Sequence, residues 1–132
     1  MNAMITILEN SRQYTLSVAE AMPEKEYHSQ IVEGAFDFRE LMNHIAYGIE
    51  WWKDNFITGT KTAWEPPAVR KGKKEIVGSL DVAYDGLRRA IEKKGEEAAS
   101  GFHATLDHIT HHRGQAVLHL RSRGIQPPEY TY

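Results

Sequence analysis

Apolar side chains recur at intervals of three and four residues along four stretches of the chain, the spacing that places them on one face of an α-helix. The predicted helices run approximately from Ile5 to Ala21, Phe36 to Phe56, Lys74 to Lys94 and Phe102 to Arg123. The second pattern is the strongest, with apolar residues at Phe38, Leu41, Ile45, Ile49, Trp52 and Phe56. Because no stretch alternates with a period of two, no sheet is expected. Four amphipathic helices in a small domain predict an all-α four-helix bundle.

Breaker residues separate these helices and set their ends. The segment from Thr58 to Gly72 contains Gly59 and two prolines, and it is long enough to cross the bundle rather than make a tight turn. Gly95 is expected to cap the third helix. Gly124 and the Pro127-Pro128 pair are expected to end the fourth.

Composition limits the classes of function. The chain has 132 residues, so one domain spanning residues 1–132 is expected. Hydrophobic residues make up 41% and charged residues 26%, as in a soluble globular protein. A net charge of -2 gives no general electrostatic reason to bind nucleic acid or an anionic membrane. The sequence shows neither a run long enough to span a membrane nor a signal-peptide pattern, which favours a cytoplasmic protein.

The chain has no cysteine. This excludes disulfides, a cysteine-based zinc ribbon and a cysteine nucleophile. Any thiol that takes part in a reaction must therefore come from a separate molecule.

Histidines form a stripe on the fourth predicted helix. His108 and His112 are four residues apart, so both imidazoles point the same way and could bind one metal ion. Gln115 and His119 follow at offsets of seven and eleven and extend the same stripe, as in the polar wall of a pocket. His111 projects off this line and is expected at the surface. Taken alone, the pair is equally compatible with an exposed histidine-rich surface.

His44, on the edge of the second helix's apolar face, is a third candidate ligand. A lone histidine there is usually a core residue, but the pair on another inward-facing helix favours ligation. Three neutral imidazoles plus water form a known catalytic zinc arrangement with one open position. Nickel, iron and cobalt also accept imidazole ligands, so the donor set leaves the metal open.

Two other classes of metal protein do not fit. Zincin proteases need a glutamate directly after the first histidine as general base, and Ile109 stands there. Di-iron carboxylate bundles need repeated Glu-x-x-His motifs, which this chain lacks.

Two sequence blocks resemble a known family. The first is Asn43-His44-Ile45-Ala46, followed by Trp51-Trp52, and the second is the run from His108 to Gln115 that contains His-His-Arg-Gly-Gln. Together with Leu120-Arg121 and the proline-terminated end of the helix, they resemble the DinB-like (YfiT-like) metal-binding four-helix-bundle superfamily over nearly the whole chain. One departure is His119, where an apolar residue or tyrosine is expected.

The resemblance implies a metal site at His44, His108 and His112 that holds a divalent ion, commonly zinc or nickel, and it implies a homodimer. Characterised members of the superfamily are bacillithiol-type S-transferases and mycothiol-dependent maleylpyruvate isomerases. It thus implies a small-molecule substrate and a low-molecular-weight thiol cosubstrate.

The leading hypothesis is a metal-dependent thiol S-transferase or hydrolase. Gln115 and His119 are candidates for catalytic or substrate contact. Three acids are candidates to orient an imidazole or act as a base, and the sequence does not choose among them: Glu40, Glu50 and Asp107. The tryptophans Trp51, Trp52 and Trp64 are expected to pack in the core or an interface. The alternatives are a non-catalytic metal- or ligand-binding bundle and a structural dimer without activity.

Overall fold

The computed structural model describes residues 2–131, and in this part of the chain all regular structure is helical. The α-helices are α1 (Asn2–Ala21), α2 (Phe38–Lys53), α3 (Lys73–Lys94) and α4 (Ala99–Ser122). Two short 3₁₀ helices precede α2 and α4, and a π-helix, Asp54–Thr58, extends α2. The all-α prediction is therefore confirmed. None of the described helices combines the length and apolar composition that a membrane span requires.

Helix α2 begins at Phe38, two residues after the predicted start, and a capping box at Asp37 fixes this position. The Asp37 carboxylate accepts a hydrogen bond from the Glu40 backbone N–H at 2.6 Å. The Glu40 carboxylate accepts one from the Asp37 N–H at 3.0 Å. These two bonds satisfy N–H groups that have no partner inside the helix, and so they stabilise its first turn.

At its other end, α2 widens into the π-helix and stops at Gly59, whose φ of 81° is readily adopted only by glycine. The predicted end at Phe56 thus lies inside a different kind of helix. The wider turn changes the phase of the side chains. Phe56, expected on the buried stripe, is 51% exposed.

The ends of α3 and α4 follow the predicted breakers more closely. Gly95 caps α3 with a positive φ of 63°, and its N–H donates to the Ile91 carbonyl, as predicted. The chain re-enters a helix at once, so α4 begins at Ala99, three residues before the predicted start. At Gly101 a Cβ atom would lie 2.3 Å from the Phe56 carbonyl oxygen, so only glycine permits this approach of α4 to the π-helix.

The apolar stripes of the helices form one core. Helix α2 packs against α3 and α4, and α1 packs against the same two helices. Most apolar residues on the inner faces of α2 and α3 are at most 1% exposed, among them Phe38, Leu41, Ile45, Ile49, Ile76, Leu80, Leu87 and Ile91, whereas Trp52 of the predicted α2 stripe is half-buried. Burial of such a side chain stabilises the fold by about 1.5–3 kcal/mol, so these stripes are the main source of stability.

Polar side chains also join α1 to α3, with one set buried in the core and a second, ion-paired set at its partly exposed edge. The Tyr84 hydroxyl of α3 lies 2.9 Å from Ser11 Oγ and 2.8 Å from Thr15 Oγ1, both on α1. Arg12 of α1 forms ion pairs with Asp81 and Asp85 of α3. These contacts fix α1 in register against α3.

Candidate metal centre

Three imidazoles converge at one point between α2 and α4. His44 Nε2 lies 2.9 Å from His112 Nε2 and 3.2 Å from His108 Nε2. One nitrogen from each ring falls within 4.8 Å of the other two, and this is the histidine and carboxylate cluster among the described residues that could hold a metal ion. The structure thus brings together the three residues that the sequence analysis selected.

The helices place these rings by simple periodicity and by one glycine. His108 and His112 are one turn apart on α4, and His44 faces them from α2. Opposite His108, α2 carries Gly48, where a Cβ atom would lie 2.2 Å from His108 Cε1. The imidazole therefore occupies the space that a side chain at position 48 would take. The sequence gives no sign of this role, because a glycine inside a helical pattern indicates only a weaker helix.

Burial keeps the three imidazoles neutral. Burial, together with a smaller contribution from neighbouring imidazoles, lowers the pKa of His44 and that of His108 to about 4. Burial also lowers the pKa of His112, although the hydrogen bond to Gln115 opposes this shift. Metal ions bind the neutral form of imidazole, so these rings are ready to ligate at neutral pH.

Gln115 orients His112. Its Oε1 lies 2.8 Å from His112 Nδ1 and accepts that N–H, which leaves the lone pair of Nε2 directed at the centre. This is the relation by which a second side chain usually fixes a metal-binding histidine. His108 Nδ1 is buried without a hydrogen-bond partner among residues 2–131.

Tryptophans enclose the other side of the centre. The Trp52 indole stacks on His108, with ring centroids 4.4 Å apart and an interplanar angle of 17°. Trp64 contacts His44 edge-on at 5.4 Å, and it also contacts Trp51 and Trp52. The tryptophans thus pack against one another, and Trp52 and Trp64 also contact the histidines, which the sequence did not indicate. Periodicity could not show this, because Trp64 lies in a loop.

Side chains of α2 hold that loop, residues 59–72, by its backbone. The Asn43 amide bonds the Arg70 backbone twice, at 2.9 Å to N and 3.0 Å to O. The Tyr47 hydroxyl accepts the Glu65 N–H at 2.9 Å, and Trp51 Nε1 donates to the Thr62 carbonyl at 3.1 Å. Three α2 side chains thus hold the loop beside the histidines through hydrogen bonds to its backbone.

Two cavities flank the centre, with Phe36 in the wall of both. One of about 480 Å³ is lined by His112, Gln115 and His119 and by apolar residues, among them Ile31 and Leu118. The other, of about 180 Å³, is lined by His44, Glu40, Glu50 and the loop. A small molecule could approach the histidines from either side.

The remaining candidates have different positions. His119 is 4% exposed, packs edge-on against Phe38 and lines the larger cavity. Its Nδ1 is buried and has no hydrogen-bond partner among the described residues. Burial lowers its pKa, while Asp37 and the Ser29 backbone oppose the shift. His111 is exposed, as expected, and stays outside the cluster.

Of the three acids, Glu40 and Glu50 line the cavity at His44, and Glu40 is also engaged in the capping box. Asp107 is exposed on α4 and lines neither cavity beside the centre. No carboxylate of residues 2–131 belongs to the three-histidine cluster.

The three nitrogens fit a transition-metal ion. Zinc–nitrogen bonds of about 2.0–2.1 Å in tetrahedral geometry separate two ligand nitrogens by about 3.3 Å. The separations of 2.9 and 3.2 Å are close to that value. All three donors are neutral imidazoles, so the set suits zinc, nickel, cobalt or iron and does not choose among them.

Comparison with known proteins supports the fold. No family model matches the sequence, and no curated protein matches it. A DinB-like protein from Bacillus cereus ATCC 10987 has a similar crystal structure, with a TM-score of 0.81 and 16% sequence identity over 97% of this chain and 95% of that one. At this identity the likeness concerns the fold. The chain therefore has the DinB-like fold that its sequence motifs predicted.

Proposed function

We propose that the chain is a single DinB-like four-helix-bundle domain whose His44, His108 and His112 hold one divalent metal ion. The observation that carries this proposal is the convergence of three Nε2 atoms from two helices, at separations close to those of a metal-bound set. The neutral state of the rings, which the lowered pKa values of His44 and His108 indicate, supports it.

The proposed activity is a metal-dependent thiol S-transferase or hydrolase. A bound divalent ion supplies Lewis acidity, which lowers the pKa of a coordinated thiol or water and yields a nucleophile near neutral pH. The chain has no cysteine of its own, so the transferase reaction would use a separate low-molecular-weight thiol.

The residues around the triad would supply positioning. Gln115 holds the His112 ring through Nδ1, and the Trp52 indole holds His108 by stacking. The cavity of about 480 Å³ beside His112 would admit a substrate with an apolar body, because most of its wall is aliphatic or aromatic. His119 in that wall would offer a hydrogen bond to such a substrate.

A metal- or ligand-binding protein without turnover is the second candidate. It is favoured by one observation: no carboxylate of residues 2–131 joins the cluster, so an obvious general base is missing beside the histidines. Glu50, in the wall of the smaller cavity, would have to act at a distance or through water.

The metal proposal is tested with protein purified without an affinity tag and analysed for bound metal. We expect one zinc or nickel ion per chain, and we expect His44→Ala and His112→Ala to lose it. His111→Ala is the matched control, because His111 is an exposed neighbour of His112 outside the cluster. Metal retention by His44→Ala, or equal loss in His111→Ala, would contradict the proposed ligand set.

The reaction class is tested on the metal-loaded protein. Small thiols are paired with a chromogenic aryl electrophile for transfer, and an activated ester is used for hydrolysis. Turnover by the parent protein but not by His44→Ala supports an enzyme of the corresponding class. A protein that binds metal fully and turns over neither substrate supports the second candidate.

Homodimer formation and a cytoplasmic location are also proposals. Both extend expectations from the sequence and its resemblance. Light scattering of the purified protein measures the oligomeric state directly, and a mass of one chain would contradict a dimer.

A further inference from the structure

Arg113 of α4 is a buried cation that the metal centre does not use. It is 4% exposed, and Nη1 donates to the Ser11 carbonyl, Ser11 Oγ and Thr15 Oγ1 at 3.2–3.3 Å. All of these acceptors are neutral. No described carboxylate lies within ion-pair distance of Arg113. A buried charge without an opposite charge costs free energy, so the position calls for an anion.

The guanidinium lies against two aromatic rings. Its Cζ is 4.8 Å from the centroid of the Tyr14 ring and 5.7 Å from that of Tyr130. These two rings contact each other edge-on at 5.1 Å. The ring faces attract the cation but leave its net charge uncompensated. Ser11 and Thr15 accept only from Nη1, and the Tyr84 hydroxyl, which is neutral, also lies beside the guanidinium.

Arg113 borders a cavity of about 600 Å³ between α1, α4 and the segment that follows α4. The wall adds a second cation, Arg121, and one acid, Glu129. The rest is mainly apolar, with Val117, Pro127 and Pro128 beside the two tyrosines. None of its lining residues is shared with the two cavities at the histidines.

We propose that this cavity is a second binding site, independent of the metal centre, for a small aromatic carboxylate. The planar guanidinium matches a carboxylate in a two-bond geometry. Tyr14, Tyr130 and the apolar wall would contact the ring of the ligand, and Arg121 would supply further attraction for its charge. The volume lies in the range of small-molecule sites.

The test is calorimetric titration of the zinc-loaded full chain at low salt with three probes: benzoate, its neutral isostere benzamide, and inorganic phosphate. We expect benzoate to bind at about millimolar concentration and benzamide about tenfold or more weakly, because it lacks the charge. Phosphate should bind more weakly than benzoate, because it has no ring. Benzoate should also shift the Arg113 Nε–H signal in a nitrogen–proton correlation spectrum.

Two substitutions locate the site. Arg113→Lys keeps the positive charge but loses the planar pair of N–H donors that a carboxylate needs for two hydrogen bonds. Arg121→Gln removes the second, exposed cation and leaves the core unchanged. Each substitution should lower the affinity for benzoate about three- to tenfold, while the affinity for zinc stays unchanged. The matched control Arg89→Gln, on an exposed part of α3, should bind benzoate as the parent does. If Arg113→Lys fails to fold, the test uses the benzoate affinity of Arg121→Gln and the shift of the Arg113 Nε–H signal in the parent protein.

Several outcomes would overturn the proposal. If benzamide binds as tightly as benzoate, the cation has no role in binding. If phosphate binds as tightly as benzoate, the site is not specific for an aromatic ligand. No heat and no shift of the Arg113 signal at about 10 mM benzoate would remove the site. Loss of zinc in Arg121→Gln would contradict its independence from the metal centre, whereas metal loss in the histidine variants has no bearing on it.

Discussion

The position of His108 depends on Gly48, a single residue on the facing helix. His44 joined the set as a candidate on another helix and through the family resemblance, whereas His108 and His112 were paired by helical spacing, because i and i+4 positions share a face. It could not show which neighbour leaves room for the rings. The room for the rings depends on how closely two helices approach each other, and the spacing of residues along one sequence does not show that distance.

Replacing Gly48 with alanine should separate helix stability from metal binding. Alanine favours a helix interior by up to about 1 kcal/mol, but its Cβ would lie 2.2 Å from His108 Cε1 and displace the imidazole. We expect zinc affinity to fall at least about tenfold in a calorimetric titration.

Gly78→Ala is the matched control, because nothing lies within 4 Å of a Cβ built at that mid-helix position. It should raise the free energy of unfolding by about 0.5–1 kcal/mol and leave zinc affinity unchanged. Unchanged zinc affinity in Gly48→Ala would show that the ring can move without loss.

Gln115→Leu should lower the affinity for the metal ion without removing any of the three proposed ligands. The Gln115 Oε1 atom accepts the His112 Nδ1–H at 2.8 Å, and loss of such a bond typically lowers metal affinity about 10- to 100-fold. Competition with a colorimetric chelator measures this change. Thr110→Val, an exposed polar-to-apolar change on the same helix, is the control and should keep the parent affinity.

At the scale of elements, α2 serves both the core and the loop. Its apolar stripe was readable from the sequence, and so was the long connection to α3. Its polar positions were not, because Asn43 and Tyr47 resemble any solvent-facing residues until the loop backbone lies against them. The π-helix was equally hidden, since the apolar pattern continues through Phe56 and gives no sign that the helix widens.

Asn43→Ala should loosen the loop over the histidines. The change removes two hydrogen bonds to the Arg70 backbone, each worth about 1 kcal/mol. Hydrogen exchange of the backbone N–H groups in residues 59–72 should accelerate about fivefold or more, while exchange within α3 stays as in the parent. Gln13→Ala, an exposed amide on α1, is the control, and acceleration there of the same size would argue against local anchoring.

For the whole molecule, the four stripes and the breakers between them were sufficient to predict an all-helical chain, and the resemblance of two motif blocks added the DinB-like fold. The polar contacts between α1 and α3 were not predictable, because Ser11 and Thr15 look like surface positions until Tyr84 lies against them. Hydrophobic periodicity therefore specifies which helices form, while partly buried polar pairs specify how they meet.

The metal-free protein should lose stability as the pH falls from about 6.5 to about 4. In the folded state the pKa values of His44 and His108 are lowered to about 4, whereas in the unfolded chain both titrate near 6.5. Within this window the unfolded chain binds more protons, so protonation favours unfolding. Above about pH 6.5 both states are neutral at these positions and the effect vanishes.

Urea unfolding across this pH range measures the effect as a difference between the parent and a His44→Asn/His108→Asn variant. The variant should lose less stability on acidification, because two of the titrating groups are gone. His103→Asn, an exposed histidine of α4, serves as the control. Parallel curves for the parent and the double variant would contradict the lowered pKa values.

The indole that stacks on His108 has a spectroscopic consequence. The chain has three tryptophans, and Trp51, Trp52 and Trp64 form one cluster with ring centroids 4.9–6.0 Å apart. Because Trp52 and Trp64 touch the histidines, the intrinsic fluorescence of the protein comes from the edge of the metal centre. Nickel or cobalt bound there should quench this emission strongly, and His44→Ala should abolish the quenching. Tryptophan emission would therefore report metal occupancy of the proposed site.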